Sequence, residues 1–270
     1  MRHYGQGGQD GNFCMMEMNF LKCPNLPEKD VKLCAVSEKA GFAVSFLQER
    51  GIGVYKVAEN PELPAPCSSH PDMRLCCLGD GYVLADCEGL VQELENIGLS
   101  ASVPARRPKG SYPEDAVLNV LFLGKLLFCR AGTPKKLGAA EEILQFAAEK
   151  GIDIHPVRQG YTRCSVCVVG EKAIITADPS ISSAAEKAGV DVLRIQPGFI
   201  SLPGYGYGFI GGCTGMLKPG LLAVCGRLES HPDGERILAF AHRYNVEILT
   251  IPTPDGNLWD IGGIIPLAEG

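Results

Sequence analysis

Eight residues of reactive or polar type, and Gly212 with them, sit where loops run into apolar segments: His70, Asp72, Asp115, Asn119, Arg163, Cys164, Cys213 and Asp260. The chemistry these types offer is nucleophilic and acid–base. A thiolate attacks electrophilic carbon, and a neighbouring imidazole or cation keeps a thiol ionised. Cys164 follows Arg163, whose charge would lower the thiol pKa, and Cys213 is the second candidate nucleophile. His70-Pro71-Asp72 sets an imidazole and a carboxylate together, while Glu114 and Asp115 supply more acid. Each also has a plainer reading. Asp72, Asp115 and Asp260 suit turns, where a carboxylate bonds local backbone. Cys164 reads equally as one more strand cysteine, and His231-Pro232-Asp233 as a helix start.

Other site chemistries are poorly served. Cys164-Ser165-Val166-Cys167 spells C-x-x-C, yet residues three apart on a strand point to opposite faces. No second C-x-x-C or spaced His pair joins it, so no metal site is expected. The glycines of 204–215 (GYGYGFIGGCTG) resemble a phosphate loop, but a turn follows them where a helix would be required. They are expected instead to let backbone pack closely. No cofactor is implied.

The elements that must position these residues are legible from 160–178, GYTRCSVCVVGEKAIITAD. Two apolar runs, 164–169 and 173–176, flank Gly170-Glu171-Lys172 and predict a hairpin. A helical pattern follows (Ile181, Ala184, Ala185, Ala188), then Gly189 and a strand at 190–195. The helix-to-strand junction recurs five times, at Gly51, Gly98, Gly151, Gly189 and Asn245, spaced 47, 53, 38 and 56 residues apart. At each, a residue tolerant of left-handed backbone ends the helix. Helices are expected at 38–51, 88–98, 139–151, 181–189 and 233–245. Further hairpins are expected at 73–84, 115–129 and 209–224. The pattern predicts an α/β fold of five ββαβ units. Residues 258–267 read as the first strand of a fifth hairpin, completed by an N-terminal strand at 13–20 or 31–36 so that the units close into a ring. A (β/α)8 barrel would need eight alternations, and a doubly wound sheet would not contain hairpins. One domain is expected over 1–270, with 1–12 as a flexible lead.

Of 270 residues, 46% are hydrophobic and 21% charged, enough to bury a large core. A net charge of −6 gives no basic face for phosphate backbones, so no nucleic-acid partner is expected. No apolar stretch approaches 18 residues and no signal-peptide core precedes the first unit, which predicts no membrane association and a cytoplasmic location. Twelve cysteines, mostly within apolar runs, fit small hydrophobes in a reducing compartment.

Five stretches carry a family resemblance: Ser68-Ser-His-Pro-Asp-Met73, Ser111-Tyr-Pro-Glu-Asp115, Gly160-Tyr-Thr-Arg-Cys164, Phe209-Ile-Gly-Gly212 and Asp260-Ile-Gly-Gly-Ile264. Together with the five units, they resemble the guanidino-group-modifying, or pentein, superfamily of five-fold pseudosymmetric α/β-propellers, in a bacterial branch. The resemblance implies a site on the propeller axis, with a Cys nucleophile, a His, and acids that grip a guanidinium. Carboxylates suit that planar cation because two oxygens accept parallel N–H bonds. The nucleophile of the family falls just before the final strand, where this chain has Asp255-Gly-Asn-Leu-Trp-Asp260 and no Cys. Two functions follow. One is a cysteine-dependent hydrolase or transferase on a guanidino or amidino small molecule. There Cys164 attacks, His70 shuttles the proton, Asp72 assists, and Asp115, Asn119, Arg163, Gly212, Cys213 and Asp260 bind substrate. The other is a non-catalytic binding protein on the same ring.

Overall fold

A computed structural model describes residues 19–132 and 138–270. The expected lead at 1–12, and all of the 13–20 strand except its last two residues, lie outside that range.

The described chain forms five sheets with one repeated plan. The strands are β1 (Asn19–Phe20), β2 (Val31–Ser37), β3 (Gly53–Val57), β4 (Leu75–Gly79), β5 (Tyr82–Ala85), β6 (Ser100–Ser102), β7 (Leu121–Leu123) and β8 (Leu126–Arg130). They continue with β9 (Asp153–Val157), β10 (Val166–Gly170), β11 (Ala173–Thr176), β12 (Asp191–Arg194), β13 (Thr214–Lys218), β14 (Leu221–Cys225), β15 (Glu247–Ile251) and β16 (Ile265–Glu269). The helices are α1 (Gly41–Gln48), the short α2 (Pro71–Arg74), α3 (Glu88–Asn96), α4 (Glu141–Glu149), α5 (Pro179–Lys187) and α6 (Gly234–Arg243). In four sheets an antiparallel hairpin is followed by a helix and a parallel third strand: β4-β5-β6, β7-β8-β9, β10-β11-β12 and β13-β14-β15. In the remaining sheet, β2 and β3 are parallel, and β16 from the far end of the chain supplies the antiparallel strand. The strand β1 adds to the outer edge of β16.

The five junction residues hold φ between 56° and 88°, so the helices end as the sequence predicts. Elsewhere the elements are shorter than the apolar pattern suggests. The first helix starts at Gly41, not 38. The last strand starts at Ile265, because Gly262 and Gly263 take φ of 76° and 80° and interrupt the extended run. Cys164 falls in a turn before β10, so it is not a strand cysteine.

The strands read as unbroken apolar runs because both faces are buried. In β7, Leu121 and Leu123 pack with Val166, Val168 and Ile174 of the fourth unit. Phe122 points the other way, to Cys76, Leu78 and Leu84 of the second. In β10, Val166 and Val168 face the third unit, while Cys167 and Val169 join a cluster shared with Met216 and Val224 of the fifth unit and Cys34 and Val36 of the first. The first and second units share Ala35, Leu75, Val83 and Ile265. Eleven described cysteines are free. Among the described residues no helix is long and apolar enough to cross a membrane.

Candidate active site

Each sheet receives its hairpin through a short turn, and these turns bring the polar residues together. The turn before β4 is α2, which starts after His70 and is anchored by a buried ion pair. Arg74 Nε and Nη2 donate to the two oxygens of Asp86 at 2.7 and 2.8 Å, and Asn60 Nδ2 donates to Asp86 at 2.6 Å. Such bidentate geometry fixes orientation as well as energy. It holds Asp72 facing the turn before β10, where the Cys164 thiol donates to Asp72 Oδ2 at 2.9 Å.

Asn119, from the loop before β7, ties the two turns. Its Nδ2 donates to the Asp72 carbonyl at 2.8 Å and lies 2.9 Å from Cys164 Sγ, while its Oδ1 accepts from the backbone N–H of Arg163 and Cys164 at 2.8 and 3.2 Å. Every polar atom of this fully buried amide is therefore engaged.

Asp260 comes from the loop before β16. Its Oδ2 accepts from Phe209 N–H at 2.8 Å and its Oδ1 from Gly262 N–H at 2.9 Å, with His70 Nδ1 3.8 Å away. The Gly-rich stretch makes this approach possible. A Cβ on Gly212 would sit 1.8 Å from Asp260 Oδ1, and one on Gly262 2.4 Å from His70 Cβ. The glycines are there for close packing, as the sequence suggests. Asp115 is also fully buried; its Oδ2 accepts from the Tyr161 hydroxyl at 2.7 Å. One oxygen on each of Asp72 and Asp115 (Oδ1 in both) is buried with no partner among the described residues. Leu63, Cys67, Met73 and Cys164, flanked by Tyr161 and Phe209, form the apolar part of the cluster.

Burial governs the electrostatics. It pushes the Asp72 carboxyl up to about 7, with the charge of Asp260 adding to it and the Cys164 hydrogen bond opposing it. The Cys164 thiol is raised well above its ordinary value, first by burial and then by the negative charges of Asp72 and Asp260. Burial also raises Asp115, against the Tyr161 hydrogen bond, and lowers His70, against Asp260. Cys67 is pushed up to about 12 by burial, then by Asp115 and Asp72. The thiol thus rests protonated against a carboxyl group whose titration burial moves to about 7, so its charged and neutral forms are both present at near-neutral pH.

The remaining expected site residues point elsewhere. Arg163 Nε donates to Asn25 Oδ1 at 2.8 Å and Nη1 to the Gly211 carbonyl at 3.2 Å, so its guanidinium does not ionise the thiol. No hydrogen bond joins His70 to Cys164; His70 lines an adjacent cavity with Asp260. The Cys213 thiol is fully buried and donates to the Ile210 carbonyl at 3.2 Å. His231-Pro232-Asp233 does start a helix, and Asp233 additionally accepts from Gln196 N–H at 2.7 Å. Tyr161, Cys67 and Trp259 were not singled out from the sequence. Tyr161 lies within the Gly160–Cys164 stretch, two residues before Arg163, and that place was the available signal.

The fold is shared with solved amidinotransferase and DDAH structures. It superposes on the inosamine-phosphate amidinotransferase of Streptomyces griseus with a TM-score of 0.56, 12% identity, and coverage of 92% of this chain and 97% of that one. For DDAH from Pseudomonas aeruginosa, in complex with citrulline, the values are 0.55, 9%, 84% and 96%. For SxtG, an amidinotransferase of saxitoxin biosynthesis from Microseira wollei, they are 0.52, 11%, 86% and 92%. No curated protein matches the chain in sequence. Residues 35–265 match the "Family of unknown function (DUF6873)", and the chain belongs to that family.

Proposed function

We propose that the five sheets are blades of a ring closed by the terminal strands, and that the acid cluster binds the guanidino or amidino group of a small molecule on which Cys164 acts. Supporting the ring are the pairing of β16 with β2 and the core shared by the fourth, fifth and first units. The free thiols favour a reducing, cytoplasmic setting.

The observation carrying the chemistry is the Cys164 Sγ–Asp72 Oδ2 contact of 2.9 Å in a cluster with two unpartnered carboxylate oxygens. Buried acceptors without donors are costly, and a planar cation carrying several N–H groups satisfies them. Asp72, not His70, is within reach of the thiol, so the proton passes to Asp72 in its ionised form. Sulfur then bonds the guanidinium carbon, and one C–N bond breaks as the amine leaves with that proton. The amidino group on sulfur is taken by water in a hydrolase or by a second amine in a transferase. Asn119 Nδ2 stabilises the thiolate, while Asp115 and Asp260 hold the cation.

A non-catalytic binding protein is the second reading, favoured by the resting protonation of the thiol. Peptide mapping after 2-chloroacetamidine and iodoacetamide treatment separates the two. The catalytic reading expects the amidine to label Cys164 first, with Asp72→Asn slowing it and His70→Ala leaving the order of labelling intact. Uniform slow labelling by both reagents would leave the binding protein.

A further inference from the structure

Beside the acid cluster lies a cavity of about 440 Å3, bordered by the first and fifth units and sharing His70 and Asp260 with the cluster. Its lining is mostly apolar: Phe42 and Trp259, with ring centroids 6.0 Å apart, together with Pro66 and Leu202. For scale, a cavity of roughly 150 Å3 holds benzene, so this one takes a phenyl ring with a linker.

The charges in it are committed. Among the described residues, Lys39 is the one basic residue with a permanent charge in the lining, and its ammonium donates to the Ala65 carbonyl at 2.9 Å and Ser68 Oγ at 3.3 Å while pairing with Glu59. His70 is 5% exposed, its imidazole makes no hydrogen bond among the described residues, and it is held toward its neutral form by burial. Asp260 is acidic. A carboxylate entering this space would meet no free cation among the described residues and would have to displace Glu59 from Lys39.

Resting on the guanidino reading above, we infer that this cavity receives the ligand's tail, and that the ligand is a guanidine or amidine with an aliphatic or aryl substituent and no carboxylate. The cationic head then reaches Asp260 from the cavity side while the tail packs on Phe42 and Trp259. An amino-acid-like tail is selected against by the same absence of a free cation.

The test compares methylguanidine, n-butylguanidine and 4-guanidinobutyrate on the full chain, by calorimetry and by tryptophan emission. Trp259 is the only tryptophan in the sequence, so its emission reports this cavity alone. Each buried methylene gains roughly fourfold, so n-butylguanidine should bind about 50-fold tighter than methylguanidine and shift the emission. The carboxylate analogue should bind no tighter than methylguanidine. Leu202→Asn should bring the butyl-to-methyl ratio below about tenfold. Equal or tighter binding of 4-guanidinobutyrate, or methylguanidine binding with no gain from the butyl chain, would overturn the tail assignment alone. Failure of all three to bind would overturn the guanidino reading and this inference with it.

Discussion

The Asp72–Cys164 contact yields a prediction in which stability and chemistry part company. Asp72 is fully buried, and its carboxyl titrates near 7, well above the ordinary 3.8. The unfolded chain therefore releases this proton at a lower pH than the folded one does. Its contribution is fully present below the unfolded value and is lost as pH rises through the folded one. At 1.36 kcal/mol per pH unit, the loss between pH 4 and pH 8 is at most about 4 kcal/mol. Asp72→Asn keeps the shape and an acceptor for the thiol but cannot ionise, so it escapes that loss. It also replaces the unpartnered Oδ1 with an amide that has no acceptor, at a cost of about 1–3 kcal/mol at every pH. The variant should be less stable than the parent at pH 4 and about 1–3 kcal/mol more stable at pH 8, with the two curves crossing between. Urea denaturation of both proteins across pH 4–8 reads this directly. The titration of every other group is common to the pair and cancels to first order. A difference that keeps one sign and size across the range would refute the burial argument. Loss of 2-chloroacetamidine labelling alongside a gain in stability at pH 8 would mark Asp72 as a residue kept for chemistry.

Two further perturbations test how the site is built. Gly212→Ala places a Cβ 1.8 Å from Asp260 Oδ1, so it should displace that carboxylate, cost about 1–3 kcal/mol in urea and abolish methylguanidine binding; unchanged binding by calorimetry would show that Asp260 is not placed by this contact. Deleting residues 265–270 removes β16 from between β1 and β2 and leaves the long apolar edge of β2 unpaired, so the product should aggregate in light scattering; a monodisperse truncation with native circular dichroism would count against the role of β16.

The sequence by itself determined the repeated unit. Helix ends, hairpin turns and buried strands are local events, set by a Gly or Asn that accepts positive φ and by side-chain periodicity. Each leaves its mark within about ten residues. The sequence also marked which turns carry buried polar side chains, because Asp72, Asp115, Cys164 and Asp260 are polar residues placed where apolar runs begin. What it left open was where those side chains point. Arg163 adjoins Cys164 in the chain, yet its guanidinium reaches back 138 residues to Asn25. His70 faces a cavity beside Asp260 and leaves the thiol to Asp72, 92 residues from it in sequence. Asn119 joins two turns that share no local pattern with it. These partners were decided by how rigid units stack against one another. A contact between units depends on the packing of both cores and has no periodicity of its own to read. The thiol's protonation was decided the same way, since burial outweighed the adjacent arginine that the linear sequence suggested would dominate.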